Sequence, residues 1–197
     1  STPSRQQAMP CAIRRPRPPE SPSSISQHTM SGLTLEFVVP RNDPWRKLAG
    51  EDGPISHPKP AAHLLLTLAQ WHAVRHTWPV DLAVGVSFPN DHDVEDLAED
   101  LPRLALIELQ FPKWTDGRAY SQARLLRTRY RFSGEVRAGG DVVADMAPLL
   151  ARTGFSSVVL RADQNRDIAE RALKMFTPVG HYQGDAHVTQ PRFARTV

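Results

Sequence analysis

From Leu82 onward the chain repeats one pattern four times: a short apolar run, a polar turn, then a segment of helical character. The runs are residues 82–88, 104–111, 134–140 (the weakest) and 156–161. Strands that are apolar on both faces need cover on both faces, which is the situation of a parallel sheet flanked by crossover helices. Helices are expected from Asp93 toward Leu101, from Ser121 to Tyr130, from Asp141 through Leu150, and from Asp167 to Phe176. Asp93, Glu95 and Asp96 suit a helix amino terminus, and Gly154 suits a carboxyl cap. The expected fold is therefore α/β, with a four-stranded, mainly parallel sheet built from consecutive β–α units. It is either an open sheet or half of a barrel, completed by a second copy or by the segment before residue 80. A homodimer would cover the two edges such a sheet leaves.

The chain before residue 80 is less regular. Residues 33–40 alternate apolar and polar before Pro40 and read as a short strand. Residues 42–60 carry Pro44, Gly50, Gly53, Pro54, Pro58 and Pro60 and read as loop. Residues 61–76 are either one helix or a strand ending near Thr67 followed by a helix. Residues 1–30 are rich in Pro, Ser, Gln and Arg without periodic apolar positions, so they are expected to be disordered. They read as a translational extension ahead of Met30, with an organellar transit peptide as the alternative. The division is then a leader over 1–30, a strand and loop over 31–61, a single α/β domain over 62–183, and a flexible tail over 184–197.

Charge distribution narrows the classes of function. The net charge of +3 resides in the leader, where Arg5, Arg14, Arg15 and Arg17 face Glu20 alone. The other 167 residues carry 20 basic and 20 acidic groups. Such a domain lacks the positive field of a phosphate-backbone binder, so no nucleic-acid partner is expected. The single cysteine, Cys11, excludes an intrachain disulfide framework and fits a cytoplasmic location. No apolar run reaches the ~18–20 residues of a membrane span.

In a parallel sheet the carboxyl ends of the strands gather on one rim, and ligands bind there. That rim is expected to hold Asn90 and Asp91; Lys113, Asp116 and Arg118; Arg137, Gly139, Gly140 and Asp141; and Arg161 and Asp163. Arginine's fork of donors suits a sulfate-, sulfite-, phosphate- or carboxylate-type oxyanion, and the Gly139–Gly140 amides suit an anion-binding concavity. Asp116 and Asp141 are candidates for a general acid or base, or else hold an arginine in place. The bland alternative for the whole set is structural Arg–Asp ties.

Arg124, Arg127 and Arg131 follow a spacing of three and four in a stretch without acids. They form either a solvated face or a docking patch for an acidic protein. His72 and His76 are four apart, but the glutamate and third ligand of a zinc site are missing, so no metal is expected. There is no Gly-x-Gly-x-x-Gly after a strand and no Walker A loop, so the cofactor, if any, is unknown.

The run Phe111-Pro-Lys-Trp-Thr-Asp-Gly-Arg-Ala-Tyr-Ser-Gln-Ala-Arg-Leu-Leu-Arg127, then Gly-Glu-Val-Arg-Ala-Gly-Gly-Asp-Val-Val-Ala-Asp over 134–145, Arg-Thr-Gly-Phe over 152–155, and His-Tyr-Gln over 181–183 resemble bacterial domain-of-unknown-function family 934. The resemblance spans about residues 62–183. It implies a place beside the sirohaem sulfite or nitrite reductase of assimilatory sulfur metabolism, with a label of oxidoreductase in sulfite reduction. It carries over no catalytic residues. Met146 stands where the family has glutamine, Thr153 where cysteine is common, and Ser156 where aspartate is common. Loss of that cysteine speaks against thiol redox chemistry in this member. Two functions are expected from these readings. One is an accessory protein or oxidoreductase of sulfite or sulfate reduction with an arginine-lined oxyanion site. The other is a non-catalytic protein that docks on sulfite reductase or its electron donor through the arginine-rich helix.

Overall fold

The computed structural model describes residues 34–48 and 57–175, all within Ser31–Val197, one of the two units into which the chain divides. The expectations for residues 1–30 and 184–197 lie outside the described residues. Seven strands, not the four expected, build one sheet: β1 (Glu36–Phe37), β2 (Arg46–Lys47), β3 (Leu64–Thr67), β4 (Val84–Phe88), β5 (Leu104–Phe111), β6 (Glu135–Gly140) and β7 (Ser157–Val158). Their order is β1-β7-β6-β5-β4-β3-β2, and every pair is parallel. The four helices are α1 (Leu68–Val74), α2 (Arg118–Thr128), α3 (Ala147–Thr153) and α4 (Arg166–Met175).

The three additional strands precede residue 80. β1 is two residues of the stretch expected to be a strand, and it pairs with β7 at the far end of the chain. β2 lies inside the expected loop, where a two-residue strand leaves no periodicity to read. Residues 61–76 take the strand-then-helix alternative. Thr67 ends β3 and caps α1, its Oγ1 accepting from the Gln70 N–H while the Thr67 N–H donates to Gln70 Oε1. The helix expected after Asp93 is instead two short 3-10 turns, Val94–Leu97 and Leu101–Arg103. Val94 and Leu97 are three apart and both buried, which the 3.0-residue period places on one side. Pro102 then removes a backbone donor from any longer helix. α3 ends where expected, at Gly154 with φ of 110°.

The two faces of the sheet differ. One face carries Leu64 and Leu66, Val84, Val86 and Phe88, Ile107, Leu109 and Phe111, Val136 and Ala138, and Val158. These join Trp71 of α1, Ala119, Ala123 and Leu126 of α2, Ala147 and Leu150 of α3, and Ala169 of α4 in one hydrophobic core. The other face is concave. Lys47 of β2 reaches Glu108 of β5 at 2.6 Å across three strand spacings, which would be about 14 Å on a flat sheet. The sheet is thus curled like half a barrel.

The connection from β1 to β2 helps fill the hollow. It leaves the carboxyl end of β1 and enters the amino end of β2, touching the concave face on the way. Asp43 Oδ2 accepts from Arg137 Nη1 of β6 at 2.6 Å. The Trp45 ring lies 3.1 Å from where a β-carbon on Gly85 would sit and packs edge-on against His63.

Gly140 ends β6 at φ of 98°, and a β-carbon there would sit 2.4 Å from the Phe111 carbonyl oxygen. Gly140→Ala is expected to lower stability by at least about 2 kcal/mol. Gly117→Ala, at φ of −84° with nothing nearer than a Tyr120 ring carbon at 3.7 Å, should stay within about 0.5 kcal/mol of wild type. Urea unfolding of both variants checks the contrast.

Candidate functional site

The carboxyl rim brings together three of the loops expected there. After β5, Asp116 and Arg118 form a two-pronged pair, with Arg118 Nε donating to Asp116 Oδ1 at 3.0 Å and Nη2 to Oδ2 at 2.7 Å. After β6, Asp141 accepts from the Trp114 N–H at 3.0 Å and from Arg161 Nη1 at 2.6 Å. After β7, Arg161 also donates to Asp163 through Nε at 2.6 Å and Nη2 at 2.8 Å. Trp114, Asp141, Arg161 and Asp163 thus tie the β5, β6 and β7 loops together. Lys113 is exposed on the same rim and has no ion-pair partner among the described residues.

These pairings set the electrostatics. The Arg118 guanidinium holds the Asp116 carboxyl well below the ordinary carboxylate range. The Trp114 N–H and then Arg161 lower Asp141, and Arg161 lowers Asp163. Carboxylates held this low stay ionised at neutral pH and are poor general acids. With Asp91, the rim aspartates outnumber Lys113, Arg118 and Arg161, so the rim is not a basic surface.

Arg137 does not share this rim. It sits in the middle of β6 on the concave face, 3% exposed, with Nη1 on Asp43 and with Nε and Nη2 on Glu135 at 3.0 and 2.9 Å. The net effect of those two carboxylates is to raise its pKa despite its burial. Glu135 also accepts from the Ser157 hydroxyl. Gly139 faces the same hollow, and a β-carbon there would lie 2.8 Å from the Glu108 carboxyl carbon. Its small size thus makes room for Glu108, while the Asp141 N–H beyond Gly140 donates to the Phe111 carbonyl at 2.8 Å.

The α2 arginines separate as well. Arg127 turns inward: Nε donates to the Gly154 carbonyl at 2.9 Å, and Nη1 to the Phe132 and Gly134 carbonyls at 2.6 and 2.8 Å. Burial without a carboxylate lowers its pKa. Arg124 and Arg131 stay exposed, without an ion-pair partner among the described residues, and Leu125 lies beside Arg124 at 37% exposure. Among the described residues no three His, Cys, Asp or Glu side chains converge on a metal-sized site.

Two cavities open beside the rim, with His92 lining both. One, of about 350 Å³, lies between the β4 loop and α2 and is lined by Asn90, Asp91, Arg118 and Gln122. Gln122 Nε2 donates to the Pro89 and His92 carbonyls, fixing the β4 loop to α2. The Asn90 Nδ2 and Gln122 Oε1 atoms are buried without hydrogen-bond partners. The Asn90 side chain is nevertheless near enough to help lower Asp116. The second cavity, of about 440 Å³, opens at the mouth of the hollow, where Thr67, Ser87 and Gln110 end the inner faces of β3, β4 and β5. Neither Gln110 nor the pair behind it, the buried Glu108 with the exposed Lys47, figured among the expected site residues. The sequence signal for them is Glu108 itself, the one acid in a mainly apolar strand.

Because pairing depresses the folded-state pKa of Asp116, Asp141 and Asp163, their contribution to stability is present above the unfolded carboxylate range near pH ~4 and fades as pH falls below it. The difference in Tm between wild type and Asp141→Asn should be full at about pH 6–7 and shrink progressively below about pH 4. A difference that stays constant to about pH 2.5 would show that pairing does not set the Asp141 titration.

Comparison with known proteins supplies a family and no activity. The profile described as a bacterial protein of unknown function, DUF934, matches residues 85–193, from within β4 through α4 and beyond. No curated protein matches the chain. With more than half its length inside that match, and with the β5 loop, α2 and the β6 end all within it, the chain belongs to the bacterial DUF934 family of proteins of unknown function.

Proposed function

We propose that this protein is a non-catalytic accessory of assimilatory sulfite reduction that docks on sulfite reductase, or on its electron donor, through the outward face of α2 and the turn that follows it. The pathway rests on what the resemblance of these motifs implies, a place beside that reductase. The docking mode rests on one observation: Arg124 and Arg131 are exposed with no carboxylate partner among the described residues, while the rim's Arg118 and Arg161 are already bound to aspartates. Exposed arginine beside a partly exposed leucine is a composition favoured at protein interfaces. Arg127 takes no direct part, since its guanidinium is spent on backbone carbonyls. It anchors the end of the helix that presents Arg124 and the turn after it, where Arg131 stands at φ of 52°.

A second reading keeps a small oxyanion, such as sulfite or sulfate, at Arg118. It draws support from the 350 Å³ cavity, where the buried Asn90 Nδ2 has no hydrogen-bond partner and Arg118 Nη1 is not engaged by Asp116. The surplus of rim aspartates works against it, because an anion there must offset their repulsion.

Charge reversal separates the two. Arg124→Glu combined with Arg131→Glu should weaken binding to the purified reductase, or to its donor, by at least about tenfold at low salt, chiefly through slower association. Arg118→Ala should leave that affinity unchanged. The complex should also loosen as ionic strength rises. Unchanged affinity in the double variant, or no complex with either partner, would overturn the docking role. Sulfite-dependent turnover by the protein alone would overturn the non-catalytic one. Sulfite binding seen by calorimetry and lost in Arg118→Ala would favour the oxyanion site.

A further inference from the structure

We infer that the 440 Å³ cavity at the mouth of the curled sheet is a binding site for a small, uncharged, planar molecule carrying a lactam-type edge, an N–H beside a C=O. This goes beyond the docking role of α2, which lies on another surface and involves none of the residues used here.

The site sits where the carboxyl ends of β3, β4 and β5 open onto the concave face, the place where parallel β–α sheets bind ligands. Register brings its floor together. Thr67 pairs with Ser87, Ser87 with Glu108, and Gln110 is the next inward residue on β5. Leu68 and Pro89 supply apolar wall, and His72 and His92 stand in the lining. No Lys, Arg, Asp or Glu lines the cavity, in contrast to the rim nearby. An ion would leave water here without a counter-charge in the lining, so an uncharged ligand is selected. The volume lies within the usual range for small-molecule sites.

The hydrogen-bond pattern of the floor is fixed from behind. Glu108 is 2% exposed and accepts from Lys47 Nζ at 2.6 Å and from Gln110 Nε2. A carboxylate offers only acceptors, so the Gln110 amide must present its NH₂ group to it. The same nitrogen donates to Ser87 Oγ at 2.9 Å. Both amide hydrogens are therefore used, and Gln110 Oε1 is left as an acceptor. Because Ser87 Oγ spends a lone pair on Gln110, its own hydrogen is left as a donor, with no acceptor among the described residues. The floor thus presents one donor and one acceptor side by side, with their polarity set by the buried Glu108 carboxylate. A lactam edge meets both: its carbonyl takes the Ser87 hydroxyl and its N–H gives to Gln110 Oε1. The flat ring then lies against Pro89 and the imidazoles.

Uracil serves as the probe, with 1,3-dimethyluracil, which lacks both N–H groups, and benzoate, an anion of similar size, as controls. In ¹H–¹⁵N spectra of the full chain, uracil at millimolar concentration should shift the Ser87, Gln110 and His72 signals, and the two controls should not. Ser87→Ala and Gln110→Leu should each weaken uracil at least tenfold while the remaining spectrum stays native. If Gln110→Leu loosens the fold by disturbing Glu108, Ser87→Ala alone carries the test, since it leaves that carboxylate's partners in place. Absence of uracil shifts at these residues, equal response to dimethyluracil, or wild-type affinity in Ser87→Ala would each overturn the site. Stronger shifts with benzoate would overturn its uncharged selectivity.

Discussion

A carboxylate buried at the centre of a sheet has to be paired or it destabilises the fold by several kcal/mol, and Glu108 imposes that condition here. Its cation comes from Lys47 on the edge strand β2, and an amide partner comes from Gln110 on its own strand. Gly139 on β6 leaves the room. The pair works only if β2 is brought round toward β5, so curvature and charge burial satisfy each other. Arg137 repeats the arrangement one strand along, where Asp43 and Glu135 neutralise a guanidinium that water scarcely reaches. The hollow that in a closed barrel would be filled by layers of aliphatic side chains is filled here partly by these ion pairs and by the Trp45 ring.

The two faces of the sheet thereby divide the work. The convex face is an apolar core against the four helices, and its side chains leave no polar group for ligands or partners. Chemistry is left to the rim, the mouth and the outward helix faces. On the rim each arginine is matched by aspartates, which makes the loops after β5, β6 and β7 a mutually bound unit instead of an open basic surface.

How much of this could be read beforehand depended on length and on distance along the chain. β4 and β5 are long enough for apolar character to show, β6 shows it only weakly, and Gly154 marks the end of α3. β1 and β2 have two residues each, and they exist because their neighbours in the sheet bind them; no local pattern encodes that. The acidic start at Asp93 does cap a helical turn, but Pro102 and the three-residue spacing of Val94 and Leu97 keep it in the tighter 3-10 form. For the site, Asp116, Arg118, Asp141 and Arg161 were foreseeable because strand ends converge by topology. Arg137 was misplaced by a few residues of strand length, enough to carry it from the rim into the hollow. Arg127 shared a helical spacing with Arg124 and Arg131, but spacing cannot reveal that residues 132–134 fold back to offer carbonyls. Lys47 and Asp43 are far from their partners in sequence, so nothing nearby marked them.

The sheet order places β1 beside β7 and β2 at the opposite margin, so a dozen residues near position 40 supply both borders and the counter-charges of two buried groups, Glu108 and Arg137. That stretch lies wholly upstream of the region shared with the family profile. A fragment trimmed to the shared region would keep Glu108 and Arg137 but discard Lys47 and Asp43, leaving Glu108 without the cation it pairs with and Arg137 with Glu135 in place of two carboxylates. The region marked out by similarity and the set of strands and charges that complete the sheet therefore do not coincide in this polypeptide.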